Sequence, residues 1–485
     1  MAKIMLISPP YVDLYGELNK AAGRYFPLGL GYIASYARQY GRHEVSMYEP
    51  EAQNLTYEDL AKKIGETNPD VIGLTCSTPN FQRAVEIARI ARKHSGAKIV
   101  IGGVHASALP GYILDNYSDV IDSVVVGEGE ITLLRLVEAY QTRGDLSEVL
   151  GIAYKSGNRT VLNPVRPFIE DLDAIPFPAR DLIPQSLFEP NLHNARYRDC
   201  FTILTSRGCP FNCSFCASRI VSGRRYRMHS AEYVLEEMRM LKKRYNARQL
   251  VITDDTFTVN HERLEKICRG MIAGRLNLKW FCFSQTSTVN REILELMKRA
   301  GCYNIGFGLE SANERSLKEI GKPLNLEKAL RSVHDAKKAG MKTQAFYVFG
   351  IPGETAADIE GTIEFAKKVN STLAFFNMLV PYPGTADFRK YFAGVPLTEI
   401  KWADFVAVGK NCVLKNSELS AKEIKRLMAS AYRQYYCNPL RVLNIILQIR
   451  TPHELLSYLR GGFSLLRQVL NWSSRPNGPS DGKAR

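Results

Sequence analysis

Along the first 150 residues, short runs of continuous apolar residues alternate with stretches whose apolar positions recur every three or four residues. The runs 3–8, 43–48, 70–75, 98–101 and 123–126 are strand-length, and all but 43–48 show no polar alternation. The stretches 29–39, 57–67 and 81–94 carry helical periodicity. Strands apolar throughout, separated by amphipathic helices, predict a parallel sheet covered on both faces. Thr56-Tyr57-Glu58-Asp59 adds a helix-start pattern before the second helix.

Residues 151–195 break the alternation. A hairpin is expected over 151–165, turning at Ser156-Gly157-Asn158, and Pro164, Pro167, Pro176, Pro178, Pro184 and Pro190 follow it. Such a proline density predicts a linker or an irregular wrap. From residue 201 the alternation resumes, with strands expected at 201–204, 249–253, 280–283, 304–307, 343–349 and 372–376. Helices are expected between them at 231–245, 261–273, 291–300, 326–339 and 355–369. Six β–α units at this spacing predict a partial parallel barrel. Beyond residue 394 the pattern is helical. Ser420-Ala-Lys-Glu423 is a capping box, Asn438-Pro439 is a break, and Thr451-Pro452 opens a last helix. The expected organisation is α/β, divided as 1–150, 151–195, 196–395, a helical region 396–472 and a disordered tail 473–485.

The turns after the strands are where the chemistry gathers. In the first unit they are Cys76-Ser77-Thr78-Pro79, Gly102-Gly103-Val104-His105 and Gly127-Glu128-Gly129-Glu130. These are strand C-terminal ends, where open α/β sheets bind ligands, and the glycines admit a ligand close to the backbone. In the second unit they are Asp254-Asp255, Ser284-Gln285, Glu310-Ser311, Pro352-Gly353-Glu354 and Pro381-Tyr382-Pro383-Gly384. In a β/α barrel this is the catalytic face.

After the first barrel strand comes Thr205-Ser-Arg-Gly-Cys-Pro-Phe-Asn-Cys-Ser-Phe-Cys-Ala217, with Cys209, Cys213 and Cys216 at C-x3-C-x2-C spacing. Three thiolates in eight residues suit an iron–sulfur cube. Held by three cysteines, a four-iron cube keeps one iron open to a small molecule. The competing structural zinc site needs four ligands, and the loop has no fourth Cys or His. Apart from the triplet, the ten cysteines lie scattered in apolar runs, which suits reduced thiols of a cytoplasmic protein rather than a disulfide framework.

Composition then sets limits. At 485 residues, two or three domains are expected, and 45% apolar with 23% charged residues is the balance of a soluble globular chain. The N-terminal apolar run is too short for a signal peptide, and no run reaches the length of a membrane span. The net charge of +15 is partly localised: from residue 438 on, seven Lys or Arg face two acids, and Arg224-Arg225-Tyr226-Arg227 is a second cluster. A basic surface favours anionic partners, or is simply solvated. The C-terminal helices have two placements open to them, packed on the barrel or lying in a membrane surface as basic amphipathic anchors. No dedicated nucleic-acid module is present.

Taken together, the triplet, Phe215, the six β–α units and Gly350-Ile-Pro-Gly-Glu354 resemble the radical S-adenosylmethionine (SAM) superfamily. Ser8-Pro9-Pro10, Pro27-Leu28-Gly29-Leu-Gly31, Gly102-Gly-Val-His-Ala-Ser107 and Gly127-Glu-Gly-Glu130 resemble the N-terminal cobalamin-binding domain of its cobalamin-dependent branch. The resemblance implies a [4Fe–4S] cluster on Cys209, Cys213 and Cys216. It implies SAM beside Phe215, Glu310, Gly350, Pro352, Gly353 and Glu354. It also implies cobalamin near Ser8, Pro9, Pro10, Leu28, Gly29, Thr75, Ser77, Gly102, Gly103, Val104, His105, Gly127 and Glu128. Asp254, Asp255, Ser284 and Gln285 would lie on the active-site face. The cobalt-ligating Asp-x-His-x-x-Gly of familiar methyl-carrying cobalamin domains is missing, because Tyr11-Val-Asp-Leu-Tyr-Gly16 has no histidine, an absence that is common in the radical branch. His105 is expected to be structural rather than a cobalt ligand. The implied activity is reductive cleavage of SAM to a 5′-deoxyadenosyl radical and methylation of an unactivated carbon on a small-molecule or lipid-like substrate. A flavodoxin- or ferredoxin-type protein would supply electrons. An oxidative cyclase using the same cofactors, and a non-catalytic cobalamin or cluster sensor, are the competing expectations.

Overall fold

A computed structural model describes residues 1–474 except 20, 21, 195, 409–411, 415 and 417. The expectation of a disordered tail from 473 therefore lies, from residue 475 on, outside the described residues; residues 473 and 474 end the last helix.

In the first unit the elements run β1 (Lys3–Ile7), α1 (Leu28–Tyr40), β2 (Glu44–Tyr48), α2 (Tyr57–Thr67), β3 (Val71–Thr75), α3 (Phe81–His94) and β4 (Lys98–Gly102). They continue with α4 (Val104–Ala108), α5 (Pro110–Tyr117), β5 (Ser123–Val125), α6 (Gly129–Thr142), β6 (Ile152–Ser156) and β7 (Arg159–Leu162). The sheet order is β2–β1–β3–β4–β5–β6–β7, parallel through β5. The hairpin β6–β7 joins it antiparallel, so the sheet continues through Leu162. The absence of alternation in the strands has a direct cause. Met5 and Ile7 enter one core with α2 and α3, while Ile4 and Leu6 enter a second core with α1 and α6. Helix α2 starts on the expected capping box, with Asp59 N donating to Thr56 Oγ1 and Thr56 N to the Asp59 carboxylate.

The second unit comprises β8 (Cys200–Ile203), β9 (Ser206–Arg207), α7 (Ser218–Ser222), β10 (Arg227–Met228), α8 (Ala231–Tyr245), β11 (Gln249–Ile252), α9 (His261–Ala273) and β12 (Lys279–Ser284). After these come α10 (Arg291–Arg299), β13 (Cys302–Glu310), α11 (Glu314–Glu319), α12 (Leu326–Lys338), β14 (Lys342–Phe349), α13 (Ala356–Val369), β15 (Leu373–Met378) and α14 (Ala386–Tyr391). Six of these strands form a parallel sheet in the order β8–β11–β12–β13–β14–β15, a barrel open between β8 and β15. Helices α8, α9, α10, α12 and α13 begin on Ser230, Asn260, Asn290, Asn325 and Thr355, whose side chains each accept an amide of the first turn.

An open barrel leaves an unpaired edge, which here is covered. Helix α15 (Ala421–Tyr436) lies along β15. Its Tyr432 hydroxyl bonds both the amide and the carbonyl of Phe376, and Tyr436 does the same at Ala374. The two phenols take the place of a seventh strand and block pairing with another chain. Helices α16 (Pro439–Leu447) and α17 (Pro452–Ser474) complete the described residues. Glu454 of α17 is buried against Lys342 and Arg196 below the barrel. No helix among the described residues is long and apolar enough to cross a membrane.

Candidate active site

The cysteine loop occupies residues 208–217, between β9 and α7. The ribbon β9–β10 pairs Arg207 with Arg227 and draws the two ends of the segment together. Gly208 has φ +85°, and a Cβ there would collide with the Arg225 carbonyl, so the reversal into the loop requires glycine. The root of the loop is pinned by Asp254. Its carboxylate accepts from Thr205 N and Thr205 Oγ1, both at 2.6 Å, and from Ser206 Oγ. Arg263 closes the group by donating to Thr205 O at 2.7 Å and lying 3.8 Å from Asp254. Asp254 is fully buried, and that burial raises its pKa against the pull of Arg263 and the hydroxyls. The expected ligand-facing aspartate pair is thus split: Asp254 is turned back into the loop, and Asp255 is the exposed member.

A cavity of about 370 Å³ opens past the barrel strands, bordered by Cys209, Cys213, Cys216, Phe215, Asp254, Asp255, Ser284, Gln285, Glu310 and Lys322. The structure therefore brings together the three cysteines, the aromatic and the polar turns after β11, β12 and β13. Burial pushes the Cys213 thiol up to about 11, opposed by the Lys322 ammonium, and raises Cys209 as well. Thr256 Oγ1 lies 3.9 Å from Cys209 Sγ and Ser218 Oγ 3.3 Å from Cys216 Sγ. Such hydroxyls can donate to thiolate sulfurs and tune a bound cluster. Among the described residues, no three His, Cys, Asp or Glu side chains converge on a point suited to one metal ion. The donor set is sulfur-rich and surrounds a space larger than one ion needs, which fits a cluster.

Glu310 ends β13 with φ +62°, in the left-handed region, and its carboxylate is 2.9 Å from Lys322 Nζ. Both side chains are less than 10% exposed. Lys322 is kept charged there: burial would lower its pKa, but Glu310 and the nearby thiols raise it. The turn Gly350–Glu354 does not line the cavity. Glu354 accepts from Gly350 N at 2.9 Å and Ile351 N at 3.2 Å, which commits its carboxylate to its own turn. Burial pushes its pKa up to about 7. Gly350, Pro352, Gly353 and Glu354 are not among the residues that border the cavity, and Ile351 packs in the cluster that backs Phe215.

A second cleft, of about 200 Å³, lies where the C-terminal ends of the first sheet meet the barrel. Gly29, Thr75, Gly102, Gly103, Gly127 and Glu128 border it from one side, and Leu204, Arg207, Val221 and Ser222 from the other. A Cβ on Gly29 or Gly127 would meet no atom within 4 Å, so side chains there would fill the cleft. Gly103, at φ +94°, could not carry one, because its Cβ would lie 2.6 Å from the Cys76 carbonyl. Ser8, Pro9, Pro10, Leu28, Ser77 and Val104 sit at the same sheet edge but outside the cleft wall. Asn80 ties two of those turns together, donating to Pro9 O and accepting from Ser77 N. His105 is likewise outside. It is fully buried, with its ring 4.4 Å from Phe81 and 4.9 Å from Trp402, and its Nδ1 lies 3.3 Å from Thr78 Oγ1. Burial holds its pKa down at about 3, so it is neutral packing and not a member of this site.

Glu128 belongs to a group of four. Arg207, beside the cysteine loop, reaches Glu128 at 2.9 Å and also Glu130, while Arg227 lies 3.0 Å from Glu128. The Glu128 carboxylate also accepts Ile169 N at 2.9 Å. Burial alone would raise its pKa, but the two arginines pull it below the ordinary carboxylate range. Its charge joins the two units. The sequence reading missed Arg207, Lys322 and Thr256, and it took Arg227 for part of a basic surface, whereas only Arg224 and Arg225 of that cluster are exposed. Arg207 stands beside the motif and Glu128 beside a glycine, but nothing in either string says that they pair.

Comparison with known proteins agrees with this geometry. Residues 203–366 match the family model of the Radical SAM superfamily, and residues 18–137 that of the B12 binding domain. An uncharacterized methyltransferase of Pyrococcus horikoshii is 34% identical over 438 residues, covering 90% of this chain and 93% of that one. The anaerobic magnesium-protoporphyrin IX monomethyl ester cyclase of Rubrivivax gelatinosus is 27% identical over 90% of this chain and 78% of its own length. Among solved structures, the radical SAM methyltransferase TsrM of Kitasatospora setae, with cobalamin and a [4Fe–4S] cluster bound, superposes with a TM-score of 0.74. That match covers 97% of this chain and all of that one at 19% identity, a likeness of fold.

Proposed function

The chain belongs to the radical SAM superfamily, in the branch that carries a B12-binding domain, and on that premise we propose that it methylates an unactivated carbon of a small, lipid-like molecule. The observation that carries this reading is the placement of two clefts at strand C-terminal ends, one lined by three thiols and the other by glycines, in two units that Arg207 ties together through Glu128.

When bound, the [4Fe–4S] cluster and SAM supply a 5′-deoxyadenosyl radical, and cobalamin supplies a transferable methyl group. Cys209, Cys213 and Cys216 would hold the cluster, and the hydroxyls of Thr256 and Ser218 would donate to its thiolates. Phe215, backed by Ile320, Val348 and Ile351, offers an aromatic wall for SAM. Lys322, held by Glu310, presents a buried cation to a carboxylate, and Asp255 an exposed anion to an amine or hydroxyl. Gly29, Gly102, Gly103 and Gly127 would let cobalamin approach the backbone. A reactive radical needs shielding from water, and in this reading the two apposed units would supply it. An electron donor of flavodoxin or ferredoxin type is part of the same reading.

The relation to the cyclase supports a second reading, ring formation without methyl transfer. One experiment separates them. Reconstituted protein is incubated anaerobically with methyl-labelled SAM, methylcobalamin, reductant and a small-molecule extract of the source cells. A methyltransferase forms 5′-deoxyadenosine and moves label into an extract component. A cyclase forms 5′-deoxyadenosine and moves none. Formation of neither, with the cluster and cobalamin both loaded, refutes both readings.

A further inference from the structure

Helices α16 and α17 are inside out. In an ordinary surface helix the apolar stripe faces the core and the charged residues face water. Here α17 buries Glu454, Ser457, Ser464 and Gln468, each 5% exposed or less, against the rest of the protein. It turns Leu456, Leu459, Phe463 and Leu466 outward, at 53–62% exposure. Helix α16 does the same: Arg441 is buried, donating to Tyr435 O, while Leu440 and Leu447 are 72% and 61% exposed. Elsewhere in the described chain, exposed large apolar residues lie scattered along the sequence, as on any soluble surface.

The inversion is built, not accidental. The polar faces are used: Glu454 pairs with Lys342 and Arg196, and Arg441 reaches Asn370. Turning either helix to bury its leucines would pull these charges out of their partners. The outward face is also of one sign. Arg450, Arg460 and Arg467 are exposed around it, and Glu454, the sole acidic residue between 438 and 474, is buried. Arg467 lies 4.3 Å from the Phe463 ring centroid, a cation beside an apolar anchor.

We propose that this face seats the protein on the surface of an anionic lipid bilayer, with the leucines and Phe463 at the acyl boundary and the arginines among the headgroups. Charge complementarity selects this occupant. A second copy meeting the same face would bring like arginines together, whereas acidic headgroups neutralise them. The inference stands on the two helices and does not depend on the reaction proposed above.

The test uses the full chain and vesicle flotation. Phosphatidylcholine vesicles are compared with vesicles containing about one-third phosphatidylglycerol, at low and high salt. The expected result is binding to the anionic vesicles more than tenfold tighter than to the neutral ones, weakened by salt. L459S/F463S and R460E/R467E should each reduce it at least tenfold. Both substitution pairs lie on the exposed face, so circular dichroism and iron content should stay at the parent values. Absence of binding, equal binding to both vesicle types, or a solution dimer that L459S/F463S dissociates would each overturn the proposal.

Discussion

Arg207 offers the sharpest test of how the two units are joined. Four side chains, Arg207, Arg227, Glu128 and Glu130, form a group of zero net charge in which none is more than 7% exposed. Arg207→Met keeps the length of the side chain and removes its charge. Glu128 still has Arg227, but Glu130 loses the guanidinium it is paired with, and a net negative charge is left buried. Breaking a buried pair in this way costs about 3–5 kcal/mol. Glu130→Gln in the same chain removes that stranded charge and leaves Glu128 with Arg227. The double variant should therefore be more stable than the sum of its parts, with a coupling of about 2–3 kcal/mol. The assay is urea unfolding under anaerobic conditions, followed by circular dichroism and tryptophan fluorescence so that separate transitions of the two units are seen. Single effects that add within about 0.5 kcal/mol would refute the claim that this group couples the units.

Other expectations follow from the same geometry. Replacing Cys209, Cys213 or Cys216 singly by alanine should abolish the cluster, read as iron and sulfide content, while far-UV circular dichroism is retained. Gly103→Ala, which would set a Cβ 2.6 Å from the Cys76 carbonyl, should weaken cobalamin binding at least about tenfold in a spectral titration. Glu354, with its pKa raised to about 7, keeps a proton in the folded state that the unfolded chain has lost. Parent stability should therefore fall as pH rises from about 4.5 to 7, by on the order of 3 kcal/mol. Glu354→Gln should flatten that slope in thermal melts taken across the range.

The pattern of apolar positions was enough to predict the α/β elements. Continuous apolar strands such as 71–75 are legible because both faces are covered, and periodic helices such as Tyr57–Thr67 and Phe81–His94 match their predicted bounds. The cysteine loop was legible for a local reason as well, since its three thiols sit in eight residues and need no distant partner to bring them near one another. Glu310 was found by its position after a strand, but its partner Lys322 was not. That lysine comes from a turn after α11, and only the fold returns it to the strand end.

The strand-end carboxylates show what the fold adds to the sequence. Glu354, Asp254 and Glu128 all stand at strand ends, as a ligand-binding carboxylate would. Glu354 bonds its own turn, Asp254 the root of the cysteine loop, and Glu128 two arginines of the other unit. A carboxylate's sequence position says which edge it occupies, not which donor it meets. The C-terminal helices show the same division. Their amphipathic pattern was plain in the sequence, but it is symmetric under inversion, and an apolar stripe does not state whether it faces a core or a surface. Burial of Glu454 and Arg441 decided it, because charged groups with waiting partners are costly to leave in an apolar setting. The sequence by itself determined the elements, their order and the thiols. The tertiary structure decided the partners of Asp254, Glu128 and Glu454 and the direction each face points, because those depend on residues tens to hundreds of positions away.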